Sequence, residues 1–282
     1  ATVETDTVEN PVNLQFHAEI RENPILNEVF FSQLEELDTV DISVDFREQD
    51  RELVADISVP FFGYAGSEVD SLAFHLNSNR SDFSFNFGFN SIAAGPLSIE
   101  KTELTGEVVD KILHLDFNSV AEGEKLYNIR SEITRKNDTV TLALNPSEVI
   151  INSLQWDVPA NNLIRVAPNF VAFEDFRLSR EDQSVEITDD RPDVEKEHIA
   201  MSFDNFSLQS FLGYFNTEEP LAAGNLDGNL TIENPFGSKG LVADVDIRNF
   251  QVLEVPMGIL RLDAEALGLR DYNFELAIKE GK

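Results

Sequence analysis

No cysteine occurs in the 282 residues, so no disulfide holds the fold and no thiolate is available as nucleophile or metal ligand. Basic residues are scarce as well. Against 52 Asp and Glu stand 21 Lys and Arg, a formal net charge of −31 that repels phosphate backbones and excludes nucleic acid as a partner. No apolar run approaches the roughly 18 consecutive residues a membrane helix needs. Ala1 to Asn10 is polar and acidic, unlike a basic-then-apolar leader, and the start at Ala1 without Met reads as a segment of a longer protein. Trp and Tyr number 1 and 4 against 22 Phe, so the rings that line an interior bring few polar atoms needing partners. A hydrophobic content of 42% is enough for a sizeable core.

Catalytic patterns are also missing. His17, His75, His114 and His198 are widely spaced, show no His-Glu-x-x-His arrangement, and read as exposed or rim residues. Carboxylates are so frequent that any pair resembles an acid/base couple, and a solvated acidic face accounts for them. Ser98-Ile99-Glu100-Lys101 has the Ser-x-x-Lys form, but Leu97 and Ile99 alternate as a strand, and that chemistry needs a helical turn. Gly224-Asn225-Leu226-Asp227-Gly228 lacks the following helix of a phosphate loop, and Leu226, Gly228 and Leu230 share one strand phase. The chain is therefore expected to be non-enzymatic and to need no metal or other cofactor.

What is abundant is alternation with period two, the mark of strands with one apolar face. Phe83, Phe85, Phe87 and Phe89 interleave with Ser84, Asn86, Gly88 and Asn90. The same phase recurs at Val40 to Phe46, Leu53 to Val59, Leu72 to Leu76, Leu113 to Phe117, Val140 to Leu144 and Leu154 to Val158. Turn residues such as Asn77 to Asn79, Lys136 to Asp138 and Asn161-Asn162 separate these runs, which predicts antiparallel meanders. Two stretches switch to helical spacing: 24–37, with Asn23 as cap, and 207–215, with Ser207 as cap. The fold class expected is all-β, a long antiparallel meander with two short helices, curled into a taco-like groove or an elongated solenoid-like half-barrel.

Each helical stretch follows a strand-like run, and a shift of about 188 residues lays Leu53-Val54-Ala55-Asp56 on the identical Leu241-Val242-Ala243-Asp244. It also lays Ile42 on Leu230, Val44 on Ile232, and Leu72 and Phe74 on Leu260 and Leu262. One further residue of slippage places Phe83 to Phe89 on Tyr272 to Ile278. The organisation expected is a first repeat unit over 1–190 and the beginning of a second over 191–282, joined by the charged, exposed stretch Asp189 to Glu197.

The apolar rows allow two interpretations. They can form the ordinary core of a sandwich, or the inner wall of a trough completed by acyl chains. For the second, the candidate lining is Phe74, Leu76, Phe83, Phe85 and Phe87, then Leu115, Phe117, Leu142 and Leu144. It continues with Leu154 and Trp156, and in the second unit with Leu230, Ile232, Val245, Leu262 and Phe274. Each buried methylene is worth about 0.8 kcal/mol against water, so an apolar wall need only match the bilayer a lipid leaves.

Several segments resemble the glycine-punctuated strand repeat of the TamB family. They are Gly224 to Ile232, Asn234-Pro235, Gly240 to Ile247 and Gly258 to Ala264, and, earlier, Ile25 to Leu37, Val59-Pro60 to Gly63-Tyr64 and Leu154 to Ile164. The resemblance spans nearly the whole chain. It implies a translocation and assembly module protein, related to AsmA-like bridge lipid transporters, that is anchored in the inner membrane and crosses the Gram-negative periplasm as a β-taco. The implied cargo is phospholipid, held by its acyl chains. The implied partner is an outer-membrane barrel of the TamA or BamA type, met through regions outside this segment, and the implied roles are lipid transport, outer-membrane biogenesis and protein secretion. The alternative is a chaperone-like scaffold for outer-membrane β-barrel proteins, acting through edge strands without carrying lipid.

Overall fold

The alternating runs become strands in a computed structural model that describes residues 10–237, 240–267 and 271–279. Nearly all pairing is antiparallel between strands near in sequence, and two short helical segments interrupt it. The residues group into two units, Ala1–Ser119 and Val120–Lys282.

The first unit contains β1 (Asn13–Ile20), β2 (Leu34–Leu37), β3 (Val40–Arg47), β4 (Glu52–Tyr64), β5 (Ser67–Ser78) and β6 (Phe83–Phe89). It continues with β7 (Ser91–Ala94), β8 (Leu97–Ile99), β9 (Lys101–Val109) and β10 (Ile112–Ala121). The strand order is β1-β3-β4-β5-β6-β9-β10, with β2 added to β4, and β7 and β8 extending from β5. Register puts the apolar rows on one face, because residues directly opposite in a pair point the same way. Phe16 lies opposite Val44, Val44 opposite Ala55, Ala55 opposite Leu76, and Leu76 opposite Phe85. Phe85 lies opposite Gly106, and a Cβ at Gly106 would fall inside the Phe85 ring, so the ring extends across β9.

Where β4 and β5 run on beyond Val59 and Leu72, the phase changes in both strands together. Ser71 has φ +56°, and the next inward residues are Phe62 and Val69, three away instead of two. The hairpin closes on Ala65 and Gly66, both at positive φ, the two-residue turn whose twist matches the strands.

The expected helix over 24–37 is shorter in the structure. Asn23 caps it as expected, its Oδ1 accepting from the Ile25 and Leu26 N–H groups, but the helix is one π-type segment, Leu26–Phe30. Leu34–Leu37 is strand β2, paired to Leu37↔Phe62 and Leu34↔Tyr64 with a bulge between. The bulge restores Leu34 and Leu37 to the same side, and that spacing of three is what imitates helical periodicity.

The second unit begins with β11 (Glu124–Lys136), β12 (Thr139–Leu144), β13 (Val149–Ile151), β14 (Leu154–Trp156), β15 (Leu163–Ala167) and β16 (Phe170–Glu174). A seven-stranded sheet follows, in strict sequence order: β17 (Arg177–Arg180), β18 (Gln183–Thr188), β19 (His198–Ser207), β20 (Ala222–Glu233), β21 (Gly240–Val252), β22 (Val255–Leu267) and β23 (Asp271–Lys279). The charged stretch Asp189 to Glu197 connects β18 to β19, which pair directly, so the sheet continues across it. The second helix is α1 (Gln209–Leu212), shorter than the expected 207–215. Ser207 ends β19 instead of capping, its N–H donating to Gln183 Oε1, and Gly213 brings the chain too close to Gln209 O and Asn152 for any Cβ.

This unit contains a filled core. Trp156 of the β13–β14 hairpin packs on Phe206 of β19, the two rings 5.5 Å apart, and Val149 and Ile151 of the same hairpin are buried. Tyr127 of β11 donates its hydroxyl to the Ser210 carbonyl at 2.8 Å, tying α1 down, and Asp157 and Ser179 exchange backbone bonds in an antiparallel bridge that joins the end of β14 to β17 edge to edge. Burial pushes the Tyr127 phenol well above its ordinary value. Asn162, read from sequence as a turn residue, is buried, with its Oδ1 accepting from Leu144 N–H and its Nδ2 donating to the Leu144 and Pro159 carbonyls.

The internal similarity of the sequence has a counterpart in strand pairing. Glu52–Tyr64 shifted by 188 residues coincides with Gly240–Val252. Ala65-Gly66 falls on Leu253-Glu254, which also take positive φ in the hairpin turn. The pair Phe74↔Phe87 corresponds to Leu262↔Leu276, and Leu76↔Phe85 to Ala264↔Phe274, in the same register. An irregularity recurs at the corresponding place, where β21 and β22 shift register between Ile247 and Gln251.

Candidate apolar site

Within the first unit the apolar face carries no packed second layer. Among its described residues the only buried large apolar side chain is Phe89, whereas Leu14 and Phe16 are 54% and 50% exposed and the remaining rows are half-buried by their own neighbours. At one end this face deepens into a cavity of about 320 Å³ lined by Ile20, Leu26, Phe31, Leu34, Leu37, Val40, Val59, Phe62, Val69 and Leu72. Every one of these side chains is apolar, and the volume is at the lower end of ligand pockets. The paired change of phase makes the cavity, since it brings Phe62 and Val69 onto the face already occupied by Val59 and Leu72. The helical turn forms part of the wall through Leu26 and Phe31 and leaves Ile25, Val29 and Phe30 exposed beside it. None of these residues belongs to the lining expected from sequence; the signal was the step of three at Val59–Phe62 and at Leu34–Leu37.

The sequence-predicted lining residues are distributed over both units. Phe74, Leu76, Phe83, Phe85 and Phe87 come together on the apolar face of β5 and β6. Leu115 and Phe117 share a face of β10, half-buried. In the second unit Leu142 and Leu144 lie on β12, with Leu142 between Ile133 and Ile164, while Leu154 is exposed on β14. Trp156 is 0% exposed and meets protein on all sides, so its place is the core. Leu230, Ile232, Val245, Leu262 and Phe274 occupy one face of β20 to β23, where coverage ends at the outer strand: Phe274 is 75% exposed.

On β1, β3, β21 and β22 the described ion pairs lie on the faces opposite the apolar rows. Asp45 is held below the ordinary carboxylate range, first by its hydrogen bond from Arg47 and then by Gln15, and both partners lie on the polar side of β1 and β3. Arg261 holds Asp246 low in the same way, through two bonds of 2.8 and 2.7 Å across β21 and β22. His17, Glu19 and Asp41 gather on the polar side of β1 and β3, all exposed, and are the one such grouping among the described residues. His198 differs from the expectation of a rim residue: it is buried, its Nε2 accepting from Arg191 N–H and its Nδ1 facing the Lys196 carbonyl. It fastens the charged connection to the sheet. Ser98 and Lys101 fall on the successive strands β8 and β9, which do not pair with each other, and Gly224 to Gly228 lie within β20.

Among the described residues no helix is long and apolar enough to cross a membrane. Comparisons with family models, with curated proteins and with solved structures gave no match for this chain.

Proposed function

We propose that the apolar face of the first unit binds the acyl chains of phospholipid, as one wall of a non-catalytic lipid conduit. The observation that supports this most is that, among the described residues of the first unit, Phe89 is the only buried large apolar side chain, while the apolar rows end in a wholly apolar cavity. An ordinary sandwich core would use such a face for its own stability, at about 25 cal/mol per Å² buried. Hydrocarbon chains fit it without polar recognition, and the polar faces keep the headgroups in water. The exposed Ile25, Val29 and Phe30 give a chain an apolar route over the helical turn into the cavity.

In this proposal the sheet is the side of a taco-like trough, and the chain works in the periplasm as part of a TamB-like, AsmA-related protein anchored in the inner membrane. The barrel partner of the TamA or BamA type is met elsewhere in that protein. The test is lipid extraction with mass spectrometry on the purified chain, combined with a photocrosslinking residue at Leu72 or Phe85. Phospholipid retained and labelled at these sites, and not from Asp56 on the polar face, is the expected result. No retained lipid and no label from either apolar position would sink the proposal.

A further inference from the structure

We infer that His17, Glu19 and Asp41, on the polar side of β1 and β3, form a binding site for a divalent transition-metal ion of the zinc type. The site lies on the face opposite the apolar rows and does not depend on lipid binding. One ligand atom from each side chain lies within 4.8 Å of the other two, and all three residues are open to solvent.

The spacing follows from the strand ladder. His17 and Glu19 are two apart on β1 and so share a face, and Asp41 is directly opposite Glu19 in an unbroken register from Asn13↔Arg47 to Ile20↔Val40. His17 Nε2 and Glu19 Oε1 are 3.7 Å apart. That is too far for a hydrogen bond and close to the separation of about 3.4 Å between two tetrahedral ligands bound at about 2.0–2.2 Å. Arg21 donates to the other oxygen, Glu19 Oε2, at 2.7 Å and leaves Oε1 on the side of the imidazole.

Charge gives an independent reason. Carboxylates directly opposed across a ladder repel, and among the described residues no side-chain hydrogen bond or ion pair reaches Asp41. The internal repeat shows the alternative. Asp41 lies opposite Ser58, and Asp227 lies opposite Asp246, 188 residues after Ser58, so Asp227 is the counterpart of Asp41. Asp227 is neutralised by Arg248 at 2.7 Å, and its Oδ1 accepts from the Asn205 N–H. The first unit has Pro60 where Arg248 stands, so this cation is missing beside Asp41. His17, opposite Ser43, corresponds to Ser202, which makes a neutral bond of 2.8 Å to Asn229. The ligand set therefore belongs to one copy of the repeat and is not a requirement of the fold.

An imidazole with two carboxylates suits zinc and its neighbours, whereas magnesium and calcium take oxygen ligands. Three side chains leave at least one coordination position for water or an external ligand. The ion offsets the repulsion between Glu19 and Asp41 and joins β1 to β3.

The probe is zinc chloride titrated into the full chain, with binding heat followed by calorimetry and the imidazole C–H signals by NMR. Saturable binding, with a response at His17 and at none of the other three histidines, is the expected result. His17→Ala and Asp41→Asn should each weaken zinc at least tenfold. Ser58→Arg, which restores a cation opposite Asp41 without removing a ligand, should weaken it as well, and Asp263→Asn, an exposed carboxylate of β22, should change it less than twofold. His17, Asp41 and Ser58 are all exposed, so these variants leave the packed residues in place. Absence of saturable binding, a response at His75, His114 or His198 in place of His17, affinity undiminished in His17→Ala, or displacement of zinc by an equal concentration of magnesium would each overturn the inference.

Discussion

Replacing Phe206 by Ala tests the claim that the second unit has a filled core. Phe206 is 1% exposed, and its ring lies 5.0 to 6.0 Å from those of Phe211, Trp156 and Phe203. Truncating a Phe so enclosed removes its transfer energy and leaves a hole that the flanking sheets can close only in part, a cost of about 3–5 kcal/mol. With a urea slope of about 2 kcal/mol per molar, the unfolding midpoint should fall by roughly 1.5–2.5 M. Trp156 is the single Trp of the chain and sits in this core, so its emission reports the transition directly. In the unaltered native protein, acrylamide and brominated lipid should both fail to quench it. A midpoint that moves by less than about 0.5 M, or a Trp156 quenched freely in native buffer, would refute the packing described for Trp156 and Phe206.

Two further substitutions probe the same unit. Asn162→Ala strips partners from both the N–H and the C=O of Leu144, and should cost about 2–3 kcal/mol in urea unfolding, more than a surface Asn→Ala change. Tyr127→Phe removes the hydroxyl bond to Ser210 and should cost about 1 kcal/mol at neutral pH. Burial raises the folded Tyr127 pKa above its ordinary value of 10.0, so the stability it contributes is complete below that pH and is lost as pH rises further. The gap between the two proteins should therefore narrow above about pH 10, as read from midpoints measured along a pH series.

Much of the fold was legible because alternation survives wherever one face is apolar. The rows at Phe83 to Phe89 and Leu53 to Val59 form strands as expected, and the segment 240–252 repeats 52–64 at the spacing read from sequence. What alternation cannot convey is a bulge. Leu34 and Leu37 imitate a helix because one extra residue lies between them, whereas Val59 and Phe62 line one cavity without any register shift against β5. Nor does it tell a lining residue from a core residue. Trp156 and Phe85 both alternate with polar neighbours, but only Trp156 has another sheet against it, through contacts with residues some fifty positions away, such as Phe206. Asn162 was opaque because Asn in a turn and Asn bridging a strand's backbone are the same letter. The buried role of His198 depends on the fold of the connection that precedes it.

The irregularity that stands at the same place in the β4–β5 and β21–β22 hairpins has a consequence for alignment between strands. A uniform antiparallel pair can slide by two residues and keep every side chain on its proper face, so alternation alone leaves such slips cheap. The two halves of the chain contain one: Val44 lies opposite Ala55, but the residue opposite Ala243 is Leu230, two positions earlier than the repeat spacing requires. The kinked hairpins have not slipped. A discontinuity in both strands acts as a notch, because a slide of two would set each kink against regular strand and break bonds on both sides. The kinked hairpin is thus the fixed mark from which neighbouring strands are counted, and changes of sequence there should alter the register of the sheet before they alter its stability.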